Sequence, residues 1–509
     1  MAKYNTDNIQ KLFWAYNEGF KRGRDPMGIQ NCSITIYGIL LPGLTNLTGR
    51  LRYYSFFCWL LYEFEKESKK RGQEITVKEQ YNFIRRAELA MAFLMDGKGV
   101  GSVVGSMHVA NKKYLVNRGR YDLKTSADID SSHEKYWKYT TGAFGQYYLG
   151  SLVYLQLAAM FEDSSFRVLE RGRKLAEAFS NSVKEKPRKQ FLECVRDGYL
   201  PEKVVETLEE LSLDKILKDS PEWTMLNDII VGKDLAGLTF RRDSVYQMLD
   251  AIRKKVEVKR FPTTMFLKYE DGDPDTILGW HYYYLCEALH YSIETLFWMI
   301  LSNASKNNYC PVDQFLDICQ KSILNGKNGL DEFAQTPLSD IISVYDTRID
   351  KGLDSLVETA KTGNYSEASY KAVELLLCLY NQVLRKKGLY QHFEKSYDIN
   401  QQFGHLTGFI KRYVEKNLDL NVESFVRNVV RLVMADHTAS ACRKMGRGQA
   451  DLRKFLLEDG MVAVVEIYKP QFTNPRTDSL IAFLEDLSYV KDGQITELGE
   501  KFIKGYEKQ

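Results

Sequence analysis

Proline is scarce in this chain, with 11 in 509 residues. Because proline breaks helices and punctuates turn-rich β folds, that scarcity favours long helices. Paired cysteines are missing as well. The eight cysteines, at 32, 58, 194, 286, 310, 319, 378 and 442, lie singly and mostly among apolar neighbours, with no C-x-x-C spacing. They carry no zinc or disulfide signature and read as reduced, mostly buried thiols of a cytoplasmic protein. A large charge excess is also lacking. The formal net charge of +3 permits a local basic face but not the strongly basic balance of a protein living permanently on nucleic acid. The opening MAKYNTDNIQ is polar, unlike a signal peptide. One uncharged run, Thr141 to Met160, has membrane-spanning length, but Gly142, Gly145, Gln146, Gly150 and Gln156 interrupt it. A buried helix is the expectation there, and no membrane contact.

What is present is a globular composition, 44% hydrophobic and 27% charged, in a chain long enough for two or three domains at roughly 150 residues each. The densest stretch runs from Leu40 to Lys66. Pro42 and Gly43 break what precedes, Thr45, Asn46 and Thr48 offer oxygens to cap a helix start, and Arg50 and Arg52 sit near the first turn. Beyond them Leu51, Tyr54, Cys58 and Leu61 make one apolar stripe and Tyr53, Phe57, Leu60 and Phe64 a second, so the helix is expected in a core. Cations at a helix N-terminus oppose the dipole unless an anion joins them, which suits a phosphate. The competing reading pairs both arginines with acidic side chains elsewhere in the fold.

Before this stretch comes a helix-like segment at 4–20, then Lys21, Arg22, Arg24 and Asp25-Pro26. Asp before Pro is a helix-start signal, with Asp as N-cap and Pro in the first turn. Cys32 to Leu41 reads as a short strand or a buried helix.

Taken together, Arg24-Asp25-x-x-Gly28-Ile29, Leu41-Pro42-Gly43-x-Thr45 and Arg50-x-Arg52-Tyr53-x-x-Phe56-x-x-Trp59-Leu60 resemble a bacterial family of uncharacterised-domain proteins. That family includes phage-defence DNA glycosylases acting on glycosylated (hydroxymethyl)cytosine. The chain departs from its pattern at Pro26, where an acidic residue is expected, and at Gly49, where threonine is expected. The resemblance implies an enzyme that flips a modified base out of DNA and cleaves its bond to the sugar. Asp25 would be the carboxylate that stabilises the cationic sugar, with Arg24, Arg50 and Arg52 on phosphates and Tyr53 against the base.

Further on, Gly97-Lys98-Gly99-Val100-Gly101 matches neither dinucleotide nor P-loop spacing and reads as a loop. Lys112, Lys113, Arg118 and Arg120, interleaved with Tyr114 and Tyr121, suit either a nucleic-acid strand or a solvated loop. The acidic run Asp271 to Asp275 lacks the glycine and glutamate of a calcium loop. Cys286, Glu287, His290 and Glu294 form a polar strip in an otherwise greasy helix, a possible acid–base or metal site for which a metal is the poorer expectation.

The fold expectation is mainly α with minor β: a helical core over 1–160, a helical domain over 161–398, and over 399–509 a helical pair plus a winged-helix-like module. The last rests on a hairpin with Asp459-Gly460 at its turn and on the closing Thr496-x-x-Gly499. That module would contact a protein partner or, weakly, DNA. The functional expectation is a cytoplasmic anti-phage glycosylase that binds modified phage DNA without a cofactor or metal. Its alternative is a non-enzymatic DNA-binding or scaffold subunit of a defence system.

Overall fold

A computed structural model describes residues 25–72, 76–111, 119–232, 239–325, 330–399, 404–446 and 451–508. Helices dominate and every strand is two to four residues long. The chain forms two compact units, each assembled from distant parts of the sequence: Met1–Ile36 with His281–Thr473, and Tyr37–Trp280 with Asn474–Gln509. A linear division at 160 and 398 therefore does not follow the packing.

The second unit is built on helix Arg52–Arg71, whose first ten residues are all buried. Phe56 and Trp59 meet Phe179 of helix Glu170–Ser182 and Phe191 of helix Glu185–Asp197, while Tyr53 and Phe57 meet Tyr148. Tyr54 of the other stripe meets Tyr148 and Phe483, so the helix is covered on both apolar stripes and between them. The helix start is not capped by Thr45, Asn46 or Thr48. The Leu51 N–H donates instead to Asp486 at 2.8 Å, a carboxylate 435 residues away, and Thr48 turns back to the Thr45 carbonyl. Gly49 has a steric reason. A Cβ there would come within 2.2 Å of the Ser102 Cβ, so the expected threonine has no room. The uncharged run from 141 to 160 breaks into a π-helical turn Phe144–Tyr148, helix Leu149–Tyr154 and strand Ala158–Met160. No helix among the described residues is long and apolar enough to cross a membrane.

The first unit is built on the part of helix Asp275–Lys306 that follows Trp280, with the side chains from His281 to Ala304 buried. Phe297 packs on His437 of helix Val422–Met445, and Trp298 on Tyr365 of helix Tyr365–Arg385. A three-stranded antiparallel sheet adds Cys310–Pro311, Met461–Val464 and Phe455–Glu458 in that spatial order. Asp459 and Gly460, both with positive φ (49° and 73°), make the hairpin turn anticipated from their sequence. The winged-helix pattern is dispersed: this hairpin lies in the first unit, whereas helix Thr477–Asp486, the hairpin Val490–Ile495 and helix Glu497–Tyr506 lie in the second.

Candidate active site

Asp25 stands at the start of the described chain, 7% exposed, with a left-handed φ of 56° that aspartate tolerates better than most residues. Asp25-Pro26 does not open the helix directly. A bend through Gly28 (φ 73°) intervenes, helix Gln30–Leu40 begins four residues after Pro26, and the Asp25 Oδ1 accepts from the Gln30 N–H at 3.2 Å. The carboxylate thus still serves a helix N-terminus, but across a turn rather than from the N-cap. Its other oxygen, Oδ2, is hydrogen-bonded to none of the described residues.

The turn is held from helix Val422–Met445. Lys444 Nζ donates to the Asp25 carbonyl at 2.5 Å, and His437 Nδ1 lies 2.9 Å from the Pro26 carbonyl. The Lys454 N–H donates to His437 Nε2 at 2.9 Å, so the imidazole is neutral and carries its proton on Nδ1. Burial pushes His437 down to about 4, and the Lys454 and Lys444 charges add to that push. Burial also lowers Lys444, with Arg443 adding and Asp25 opposing. Arg443 comes close as well: a Cβ on Gly28 would sit 3.2 Å from its Nη2. Pro26, His437, Ser440, Ala441, Lys444 and Leu452 line a small depression here, packed closely enough to leave no space for a water molecule. One carboxylate among two cations and a neutral imidazole can stabilise a positive sugar while the cations take phosphate oxygens.

No protein-family model matches the chain, and neither does any curated protein or solved structure. The site's chemistry therefore rests on its own geometry.

The residues singled out in the sequence fall into three groups. Arg52 and Tyr53 are removed from the DNA-contact set. Arg52 is 1% exposed and makes two bonds to Glu222, both at 3.0 Å, and two more to the carbonyls of Glu210 and Ser212. Tyr53 is fully buried, and its hydroxyl accepts from the Val104 N–H. Arg50 is partly exposed but ion-paired to Asp486 at 2.6 Å. Acidic side chains thus satisfy both arginines, as the competing reading had it. Arg120 remains on the surface, its guanidinium 4.1 Å from the centre of the Tyr199 ring. Arg24, Lys112, Lys113 and Arg118 lie outside the described residues.

The polar strip of helix Asp275–Lys306 forms a buried array in the same unit as Asp25. His290 Nε2 is 3.0 Å from Glu294 and its Nδ1 is 3.6 Å from Glu287. Burial alone would lower His290, but the two carboxylates outweigh it and hold the group well above its ordinary value. Glu294 also accepts from the Tyr468 hydroxyl at 3.0 Å and the Gln471 N–H at 2.9 Å. No group of three or more His, Cys, Asp or Glu among the described residues is arranged to hold a metal ion.

His437, Arg443, Lys444 and Tyr468 escaped notice in the sequence. The available signal was the basic end of a long helix, Arg443-Lys444, which reads equally well as ordinary compensation of the helix dipole.

Proposed function

We propose that this protein is a cytoplasmic DNA glycosylase of phage defence that excises glycosylated cytosine from DNA and leaves an abasic site. The observation that carries this reading is the Asp25 turn: a nearly buried carboxylate with one oxygen fixed by the Gln30 N–H, the other unbonded among the described residues, and Lys444 and Arg443 close by. Extracting a base from the stack costs a few kcal/mol, and Arg443 offsets part of that by holding a flanking phosphate. As the base departs, positive charge builds on the sugar ring; Asp25 stabilises it and orients the attacking water. The depression beside Asp25 is closed at rest, so its walls must part for a nucleotide. Lys444, on a flexible four-carbon stem, is the wall that moves most cheaply. Arg120 is retained as a phosphate contact, and helix–hairpin–helix Thr477–Tyr506 as the remnant of the winged-helix expectation through which a protein partner would dock.

The test is to incubate the purified protein with phage DNA carrying glycosylated cytosines and with unmodified DNA, and to quantify released bases and abasic sites. Release from modified DNA alone, lost in Asp25→Asn, is expected. Asparagine also suits the left-handed φ and can accept from Gln30, so the variant isolates the charge. Undiminished release by Asp25→Asn would remove the catalytic assignment. Salt-sensitive binding without release from either DNA would favour the non-enzymatic DNA-binding subunit instead.

A further inference from the structure

We propose that Lys444 is an amine nucleophile that gives this protein a second activity, cleavage of the DNA strand at an abasic site. The inference rests on the glycosylase reading of the Asp25 turn and extends it to the fate of the product. Three observations support it. Lys444 Nζ lies 2.5 Å from the main-chain oxygen of the residue whose carboxylate is assigned to base release. Its side chain also lines the depression beside Asp25, together with Pro26, His437 and Ser440. Finally, its surroundings shift it toward the neutral amine: burial disfavours the ammonium and Arg443 adds to that effect, while Asp25 opposes it. A half-buried lysine beside a like charge holds more of its amine in the neutral, nucleophilic form than a free lysine does.

The chemistry closes without a redox partner. An abasic sugar equilibrates between a ring-closed hemiacetal and an open aldehyde at C1′. The neutral Lys444 amine adds to that aldehyde, a C–N bond forms, and water leaves to give a protonated imine. A base then removes a C2′ proton, for which the Asp25 carboxylate is the group at hand. The electron pair of that C–H bond forms a C2′–C3′ double bond as the C3′–O bond breaks, and the 3′ phosphate leaves with it. Hydrolysis of the imine consumes one water, frees the unsaturated sugar aldehyde and returns the amine. Over the cycle the water released in imine formation balances the water consumed, and the strand is broken.

The experiment supplies a DNA duplex with one preformed abasic site to the full-length protein in the presence of sodium borohydride, which reduces the imine to a stable amine. Expected are a covalent protein–DNA species on a denaturing gel, an adduct located by peptide mass spectrometry at Lys444, and strand cleavage when borohydride is omitted. Lys444→Arg can still donate to the Asp25 carbonyl but has no nucleophilic amine. Assayed at duplex concentrations that saturate its own binding, it should lose both adduct and cleavage. Absence of adduct with the wild-type protein, an adduct located elsewhere, or an undiminished adduct in Lys444→Arg would each overturn the proposal. Because the abasic site is preformed, the outcome does not depend on base excision. Base release from modified DNA without trapping defeats the Lys444 step alone, whereas trapping without base release supports Lys444 and defeats the glycosylase reading.

Discussion

Arg52 and Asp25 are both nearly buried charges beside the start of a helix, one in each unit of the chain, and they differ in how completely their surroundings satisfy them. Arg52 makes four hydrogen bonds, two to the Glu222 carboxylate and two to main-chain carbonyls, and Glu222 accepts a further bond from Ser55. Asp25 has one carboxylate oxygen fixed by Gln30 and two cations at hand that do not bond its carboxylate. A charge saturated within the fold has nothing left to offer a substrate. A carboxylate with one oxygen bonded to none of the described residues, set beside cations, still has an acceptor to offer a ligand. The most conspicuous motif in the sequence is thus scaffolding, and the quieter Asp-Pro turn is the proposed site.

That contrast can be broken most sharply at Arg52. Arg52→Ala leaves the Glu222 carboxylate buried without its countercharge, and urea unfolding should show a loss of about 3–5 kcal/mol. A near-wild-type midpoint accompanied by weakened DNA binding would return Arg52 to the substrate side.

Next in size come two opposed pH dependences, one in each unit. Glu88, in the second unit, accepts from the Ala143 and Phe144 N–H groups and from the Tyr136 hydroxyl, yet burial raises it from 4.5 to about 7. Between these values the native state binds more protons than the unfolded one. Stability therefore falls as pH rises through 4.5–7, by roughly 3 kcal/mol in total. Glu88→Gln should flatten that slope. His437, in the first unit, moves the other way. Its native value near 4 lies below the unfolded 6.5, so the unfolded state binds more protons across that window, and stability rises with pH by a similar roughly 3 kcal/mol. His437→Gln can still donate to Pro26 and accept from Lys454, and should remove the rise while keeping the Asp25 turn in place. If the two units unfold separately, denaturation followed at several pH values will show the opposite slopes in separate transitions. Slopes of the same sign would contradict the assignment.

The smallest effect belongs to the turn itself. Gly28→Ala forces a side chain into φ 73° and toward Arg443, which should cost about 1–2 kcal/mol by thermal unfolding. It should lower base release more than that loss explains, because Gly28 lies inside the loop between Asp25 and Gln30. Base release falling only in step with stability would make the turn ordinary structure.

Much of the local structure was legible in the chain. Two apolar stripes over 51–64 required a helix covered on both faces, and Phe483 meets Tyr54 of one while Tyr148 meets Phe57 of the other. The Asp459-Gly460 pair announced its hairpin, and the polar strip from Cys286 to Glu294 lies on one buried helix. The partners were not legible. Arg50 is satisfied by Asp486, Arg52 by Glu222, the Leu51 N–H by Asp486, and Asp25-Pro26 by Lys444 and His437. Each of these carboxylates, amines and imidazoles is an unremarkable residue where it occurs in the sequence. Asp486, for instance, is simply the last residue of helix Thr477–Asp486, although burial, against the pull of Arg50, raises it to about 6.

By itself the sequence determined the helical class, the placement of the main core helix and the one strong hairpin turn, because periodicity and turn chemistry act over a few residues. Only the tertiary structure decided which charges are spent inside the fold and which remain available. Satisfying a buried charge depends on groups brought within about 3 Å from hundreds of residues away, and no local pattern records them.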